Sequence, residues 1–467
     1  MPKIKNKPEQ RRVVFTANTF IEIEQLQKDG YQLPRNKNPW LNSKEVGVRK
    51  KGIVWGWSQN EISEYTKCAT DVLYFTQFCH IKSEDGATKP MKIRDYQEDV
   101  LLVCQGTRVI NMSSRQSGKD QPLDALLWTN NGSIKMGDIK LNDKIFDETG
   151  NLTTVVGIYP QGEKDVYQIT FADGSTVKCG YEHLWGVEDI LGNYRVLSLK
   201  DILENKYLTN RGDYKYFVKT TQPVNYSKKE LIMDPYLLGL FLGDGCISQR
   251  KTAIASNDSE IINYIKTFEN NDLKITHYSD FTYNFVRTSN KVSNYINDQL
   301  KSLNLKGTLS HTKFIPKTYL YSSIDDRIAL LQGIMDTDGS VDKNGTIEYC
   351  TVSKQLADDV SELCESLGIV VRRTTKKSYY TYKGEYKLGK LVYRLKLQLV
   401  NDYKYNIFRL SRKQSLIKNK KYVWGYRRGI ANIEYIGKKQ TQCIEVNNES
   451  HLYLTNHYIP THNTITA

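Results

Sequence analysis

The sequence predicts a multidomain chain: a partial α/β segment cut by a long insertion, which is an all-β unit in two pieces around a duplicated α+β body. Three observations carry this. A phosphate-loop pattern at Ser113-Ser114-Arg115-Gln116-Ser117-Gly118-Lys119 lacks the hydroxyl residue that should follow it, and that hydroxyl appears at Thr464. Short alternating strands run from Leu126 to Val218, and β character returns from Trp424 to Tyr458. Between them Leu237 to Gly245 and Leu330 to Gly339 are apolar runs ending in Asp-Gly, each followed by strands and a helix, which is an internal duplication.

Taken from the N-terminus, residues 1 to 51 are polar and basic and read as an extended arm with short helices. Apolar residues at helical spacing (Ile62, Tyr65, Cys68, Val72, Phe75, Phe78) predict a helix over 61–80. A second helix opens at Arg94, and Arg108-Val109-Ile110-Asn111-Met112 is a buried strand leading into the loop. Strand, loop and helix start are what a phosphate site needs, because backbone N–H groups and the helix N-terminus must face the phosphates. Asp120 follows Lys119 where a Ser or Thr belongs, whereas joining Lys119 to Thr464 restores Ser-Gly-Lys-Thr-Ile-Thr-Ala. Residues 120–463 therefore read as an insertion made to leave. Its first part holds strands at Asp143–Phe146, Thr153–Val156, Val166–Phe171 and Ser175–Lys178, divided by turns such as Ala172-Asp173-Gly174. The expected segments are 1–119, 120–225, 226–423, 424–463 and 464–467.

Composition is compatible with this plan. The 467 residues, 39% hydrophobic and 25% charged, suffice for several cores, and a net charge of +14 with pI near 9.1 favours a polyanionic partner. No stretch approaches the ~20 apolar residues of a membrane span, and the basic N-terminus has no apolar run behind it. A cytoplasmic protein with no membrane partner is expected. Eight cysteines lack metal-site or disulfide-framework spacing.

Three family resemblances cover nearly the whole chain. Lys135-Met136-Gly137-Asp138-Ile139 with Phe146-Asp147-Glu148-Thr149-Gly150, and the ending Tyr458-Ile459-Pro460-Thr461-His462-Asn463, resemble the two parts of an intein, a self-splicing domain of Hint fold. Leu237-Leu238-Gly239-Leu240-Phe241-Leu242-Gly243-Asp244-Gly245 and Leu331-Gln332-Gly333-Ile334-Met335-Asp336-Thr337-Asp338-Gly339 resemble the paired motifs of LAGLIDADG homing endonucleases. Residues 1–119 are similar to the start of the ATPase domain of tailed-phage terminase large subunits. Tyr96-Gln97 would contact adenine and Ser117, Gly118, Lys119 and Thr464 the phosphates and Mg²⁺; Ser113 departs from the usual Gly. The implied fold class is a partial P-loop ATPase segment, an all-β Hint splicing domain and an α+β LAGLIDADG endonuclease with duplicated half-domains.

An Asp at the first insertion position cannot usefully attack the preceding carbonyl, so another nucleophile must reach Lys119. The resemblance to class 3 inteins implies Cys443 for this, supported by Trp185 and Thr461. It gives His183 the protonation of the leaving Asp120 nitrogen, Thr464 the acceptance of the acyl group, and Asn463 the cyclisation, aided by His462. Cys179, four residues before His183, is a rival nucleophile, and Trp185 and His183 could equally be core residues. The two LAGLIDADG helices would cross closely at Gly239 and Gly333 and bring Asp244 and Asp338 together to hold Mg²⁺. Strands around Tyr379–Lys383 and Leu391–Leu397 would lie on double-stranded DNA as a monomer reading two half-sites. Active-site lysines are implied but not identified. Splicing needs no cofactor; the spliced host protein would use ATP and Mg²⁺ in an infected bacterial cytoplasm, completed by the terminase remainder or other packaging proteins. Two alternatives stand beside this: a splicing-dead endonuclease on a Hint scaffold, and a nucleotide-binding fragment with a silent insertion.

Overall fold

The computed structural model describes residues 13–15, 53–55, 63, 66–68, 75, 80–82, 88–90, 120–288, 293–382, 385–399, 404–417 and 427–462. Tyr96, Gln97, Ser117, Gly118, Lys119, Trp424, Asn463, Thr464 and the expected strand at 108–112 lie outside them. Two compact units divide the chain, Met1–Ser113 and Ser114–Ala467. In the first, Val13–Phe15 pairs in parallel with Ile53–Trp55 and His80–Lys82 pairs antiparallel with Thr88–Pro90. Residues 63, 66–68 and 75 are helical, within the stretch whose spacing predicts a helix.

The second unit opens with β1 (Gln121–Pro122), β2 (Leu126–Thr129), β3 (Gly132–Lys135) and β4 (Lys144–Phe146). Then come the long β5 (Leu152–Phe171), β6 (Thr176–Gly180), β7 (Leu184–Glu188), β8 (Tyr194–Ser198), helix α1 (Leu199–Glu204) and β9 (Phe217–Lys219). Ser198 caps α1 in a reciprocal box with Asp201, which satisfies backbone donors at the helix start.

A duplicated body follows. Its first half is α2 (Pro235–Leu242), β10 (Gly245–Cys246), β11 (Ala253–Ala255), α3 (Ser259–Lys266), β12 (Leu273–Ser279), β13 (Thr282–Arg287) and α4 (Tyr295–Ser302). After the short α5 (Lys317–Leu320), its second half is α6 (Ile324–Asp338), β14 (Gly339–Val341), β15 (Ile347–Thr351), α7 (Lys354–Ser366), β16 (Val370–Tyr382), β17 (Glu385–Gln398) and α8 (Ser411–Gln414). The two four-stranded sheets have the same strand order, β10-β11-β13-β12 and β14-β15-β17-β16. The duplication expected from the sequence is thus matched by topology.

The chain then returns to the β unit through β18 (Arg427–Val446), β19 (Leu452–Thr455) and β20 (Ile459–His462). β18 lies between β9 and β5 in the ten-stranded sheet β8-β7-β9-β18-β5-β4-β2-β3, while β6 pairs with β5 and β1 with β18. The closing segment is therefore an inner strand of a sheet begun some 300 positions earlier. The turn at Asp173 locks this return: Arg428 Nε donates to Asp173 Oδ2 at 2.7 Å, with both side chains buried.

Candidate splicing and DNA-cleavage sites

At the first site β1 pairs antiparallel with β18 so that Gln121 faces Gln442 and Pro122 faces Thr441. Asp120 and Cys443, the residues next to this paired stretch, are both buried. The Asp120 carbonyl accepts from Gly180 N at 2.9 Å. Its carboxyl presses on the same residue: a Cβ at position 180 would come within 2.4 Å of both carboxylate oxygens and would have to displace them. Burial raises the Asp120 carboxyl above its ordinary value. Gln121 anchors this edge by accepting from Tyr453 Oη at 3.1 Å and Thr455 Oγ1 at 3.2 Å.

The hairpin of β19 and β20 carries the closing residues, with Thr461 opposite Tyr453 and His462 opposite Leu452. Thr461 Oγ1 and His183 Nε2 are 2.5 Å apart, both fully buried. The His183 ring meets Trp185 edge-on at 5.5 Å. Tyr453 joins the two groups of residues, because its buried hydroxyl, raised well above the ordinary value chiefly by burial, also feels Cys443, Cys179 and Asp120. Tyr453 thus links Cys443 and Asp120 to Thr461, its partner across the hairpin, and Thr461 in turn meets His183, which packs on Trp185; Lys119, Asn463 and Thr464 lie outside the described residues.

Cys179 is placed here too, packed in an apolar cluster with Trp185 and Phe171. Burial pushes its thiol far up, so its thiolate is disfavoured. Trp185 is fully buried core as well as a wall of the site. His451, just before β19, belongs to none of the motifs above. Its ring stacks near His462 with centroids 6.1 Å apart, and its backbone takes φ +56°. The clustering of three histidines in the last stretch of the β unit is the signal that could have found it.

At the second site α2 and α6 cross in contact. A Cβ added at Gly239 would come within 2.4 Å of Leu330 O and 2.8 Å of Gly333 Cα, and one at Gly333 within 2.3 Å of Tyr236 O. The close crossing brings the helix ends together, so Asp244 and Asp338 act on each other electrostatically. Burial, and then the charge of Asp244, raise Asp338 to about 6; burial also raises Asp244.

Two lysines complete the arrangement. Lys313 Nζ donates to the carbonyls of Phe241, Leu242, Gly243 and Gly245 at 2.8 to 3.1 Å. Lys413 Nζ donates to those of Met335, Asp336, Thr337 and Gly339 at 2.7 to 3.4 Å. These acceptors are positional counterparts in the two motifs. Each lysine satisfies carbonyls orphaned at a helix C-terminus and places a cation by the carboxylates. Burial pulls Lys313 down to about 8, opposed by Asp338 and Asp244. Asp336 does not join the carboxylate pair: it accepts from Tyr236 Oη at 2.7 Å and from the backbone N–H of Arg409 and Leu410, which fixes the segment bearing Lys413.

Two like-charged oxygen donors held together suit a hard divalent cation such as Mg²⁺. Among the described residues no group of three or more His, Cys, Asp or Glu could hold a metal, so water or a phosphodiester would supply further ligands. No helix among the described residues is long and apolar enough to cross a membrane.

Comparison with known proteins places residues 325–430 in the family described as LAGLIDADG-like domain. That match covers the second half of the duplicated body, which therefore contains a LAGLIDADG-like domain. The chain is 25% identical to the replicative DNA helicase DnaB of Mycobacterium intracellulare, with 74% of this chain aligned; it spans 59% of that relative's length. Among solved structures it is similar to the MchDnaB-1 intein (10% identity, 73% of this chain and 99% of that one, TM-score 0.24). It is also similar to a mesophilic variant of the homing endonuclease I-DmoI (20% identity, 36% of this chain and 88% of that one, TM-score 0.23).

Proposed function

We propose that residues 120–463 form an intein of class 3 that excises itself from a host protein and also acts as a Mg²⁺-dependent, site-specific homing endonuclease on double-stranded DNA. The observation that most supports the splicing half is the pairing of β1 with β18, whose register, continued by one step, would set Asp120 opposite the buried Cys443. A nucleophile at Cys443 then acts across the sheet.

In this reading Cys443 Sγ attacks the Lys119 carbonyl, the Lys119–Asp120 bond breaks, and His183, held by Thr461 and Trp185, gives a proton to the departing Asp120 nitrogen. The acyl group passes from Cys443 to Thr464 Oγ. Asn463 cyclises through its side-chain amide and releases the flanks, with His462 as proton donor; the ester then rearranges to a Lys119–Thr464 peptide bond. On DNA, Asp244 and Asp338 would hold Mg²⁺, which supplies positive charge against the scissile phosphodiester. Lys313 and Lys413 keep both carboxylates in place and add charge toward the same phosphates. The flank 1–119 is read as the start of a terminase large-subunit ATPase, with the restored loop taking ATP and Mg²⁺.

Replacing Asn463 by Ala removes the amide that cyclises. A branched species joined through Thr464 is expected to accumulate on denaturing gels and to be resolved by mild base. Ordinary spliced product from that variant would refute the assigned boundary.

A further inference from the structure

Between β19 and β20 the chain makes one tight turn, Asn456–Tyr458, in which His457 and Tyr458 take φ +58° and +52°. Neither is a glycine, so the left-handed conformation persists only if surrounding contacts impose it. On one side the β unit holds it: Trp128 stacks on Tyr458 with centroids 3.9 Å apart, and Trp128 Nε1 donates to Thr455 O at 2.7 Å. On the other side the partner is the duplicated body. Glu365, near the end of α7, is buried, and both of its carboxylate oxygens lie 3.2 Å from His457 Nδ1. The last residue of α7 is tied back as well, since Val224 N donates to Ser366 O at 2.8 Å and Arg327 bonds both Ser366 and Val224 O. The strand leaving this turn ends at His462.

We propose that Glu365, although it belongs to the endonuclease body, is a positioning residue for the C-terminal cleavage step of splicing, holding His457 so that the left-handed turn aims His462. The inference rests on the splicing reading above. It makes that step respond to pH. Facing His457 are Glu365 from α7 and Arg428 and Asp173 from the β unit; burial and Arg428 lower the imidazole, and Glu365, through charge and hydrogen bond, outweighs them with help from Asp173, leaving it above its ordinary value. A group raised in this way carries its coupling in full at low pH and loses it as pH rises through the raised value.

The test uses the full chain and follows two products by mass spectrometry: the peptide beginning at Thr464, and cleavage between Lys119 and Asp120. Glu365→Gln is expected to slow release at Thr464 about fivefold near pH 6, the factor falling toward one near pH 9, with Lys119–Asp120 cleavage unchanged. In a His457→Lys background, whose cation persists over that range, the effect of Glu365→Gln should be independent of pH. Wild-type release from Glu365→Gln at both pH values overturns the proposal, as does a parallel fall in both cleavages, which marks a general loss of fold. A wild-type chain that cleaves at neither junction overturns the splicing reading and this inference together.

Discussion

Of Cys443 and Asp120, both buried, only a thiol forms a productive acyl link in the proposed reaction, and this sets the sharpest residue-level expectation. Cys443→Ala should abolish cleavage at Lys119–Asp120 and all ligation, whereas Asp120→Ala should splice comparatively well; equal loss in both, seen on denaturing gels, would remove Cys443 from its role. On the DNA side, Asp244→Asn or Asp338→Asn should reduce cleavage of a supercoiled plasmid bearing the uninterrupted junction by about a hundredfold while splicing continues, because the lost charge belongs to a separate site. These residues were legible in the sequence because the chemistry demands particular side chains at the ends of recognisable runs. Lys313 and Lys413 were not. Each reaches its four carbonyls from a distant segment, and the two stand at unequal distances after their respective Asp-Gly pairs, so no spacing betrays them.

Strands posed a different problem from helices. The apolar runs ending in Asp-Gly read directly as the helices α2 and α6, whose crossing at Gly239 and Gly333 was visible as small residues in otherwise bulky stretches. β5 instead read as two short strands, because Gly157, Pro160 and Gly162 break its alternation. In the fold it runs unbroken, since β18 pairs along it and absorbs the irregularities as register shifts beside Thr441 and near Tyr435. That ladder depends on the Asp173–Arg428 pair at its base. Burial would raise Asp173, but the charge of Arg428 and hydrogen bonds from Ser175 and Arg428 hold it below the usual carboxylate value. Its stabilisation is therefore present above the unfolded carboxylate value and lost as pH falls through the lower folded one. Asp173→Ala, which strands a buried guanidinium, should cost about 3 kcal/mol at neutral pH in urea unfolding of a cleavage-blocked chain, and less in acid. An unchanged midpoint at neutral pH would show that the pair does not secure the ladder.

At the scale of the molecule, the β unit and the duplicated body share a core. Trp128, Phe146, Val224, Tyr226, Leu454 and Tyr458 belong to the same apolar cluster as the helices α2 and α6. The sequence separates the two where the strand pattern gives way to helix plus strands near 225 and returns near 424, and contacts made by one residue from each of several segments leave no periodic trace that would reveal the joint surface. The proposed catalytic groups nevertheless lie on different elements, Cys443 on β18 and His183 just before β7, Asp244 and Asp338 at the ends of α2 and α6. In the proposed reaction residues 120–463 leave and their flanks are joined. It is tested by expressing the chain with a longer C-terminal extension and searching the digest for a peptide crossing Lys119 and Thr464. That peptide, together with a free 120–463 product, is expected in the wild type and is expected to be absent in Cys443→Ala. An intact chain with no junction peptide in the wild type, or the peptide persisting in Cys443→Ala, would contradict it.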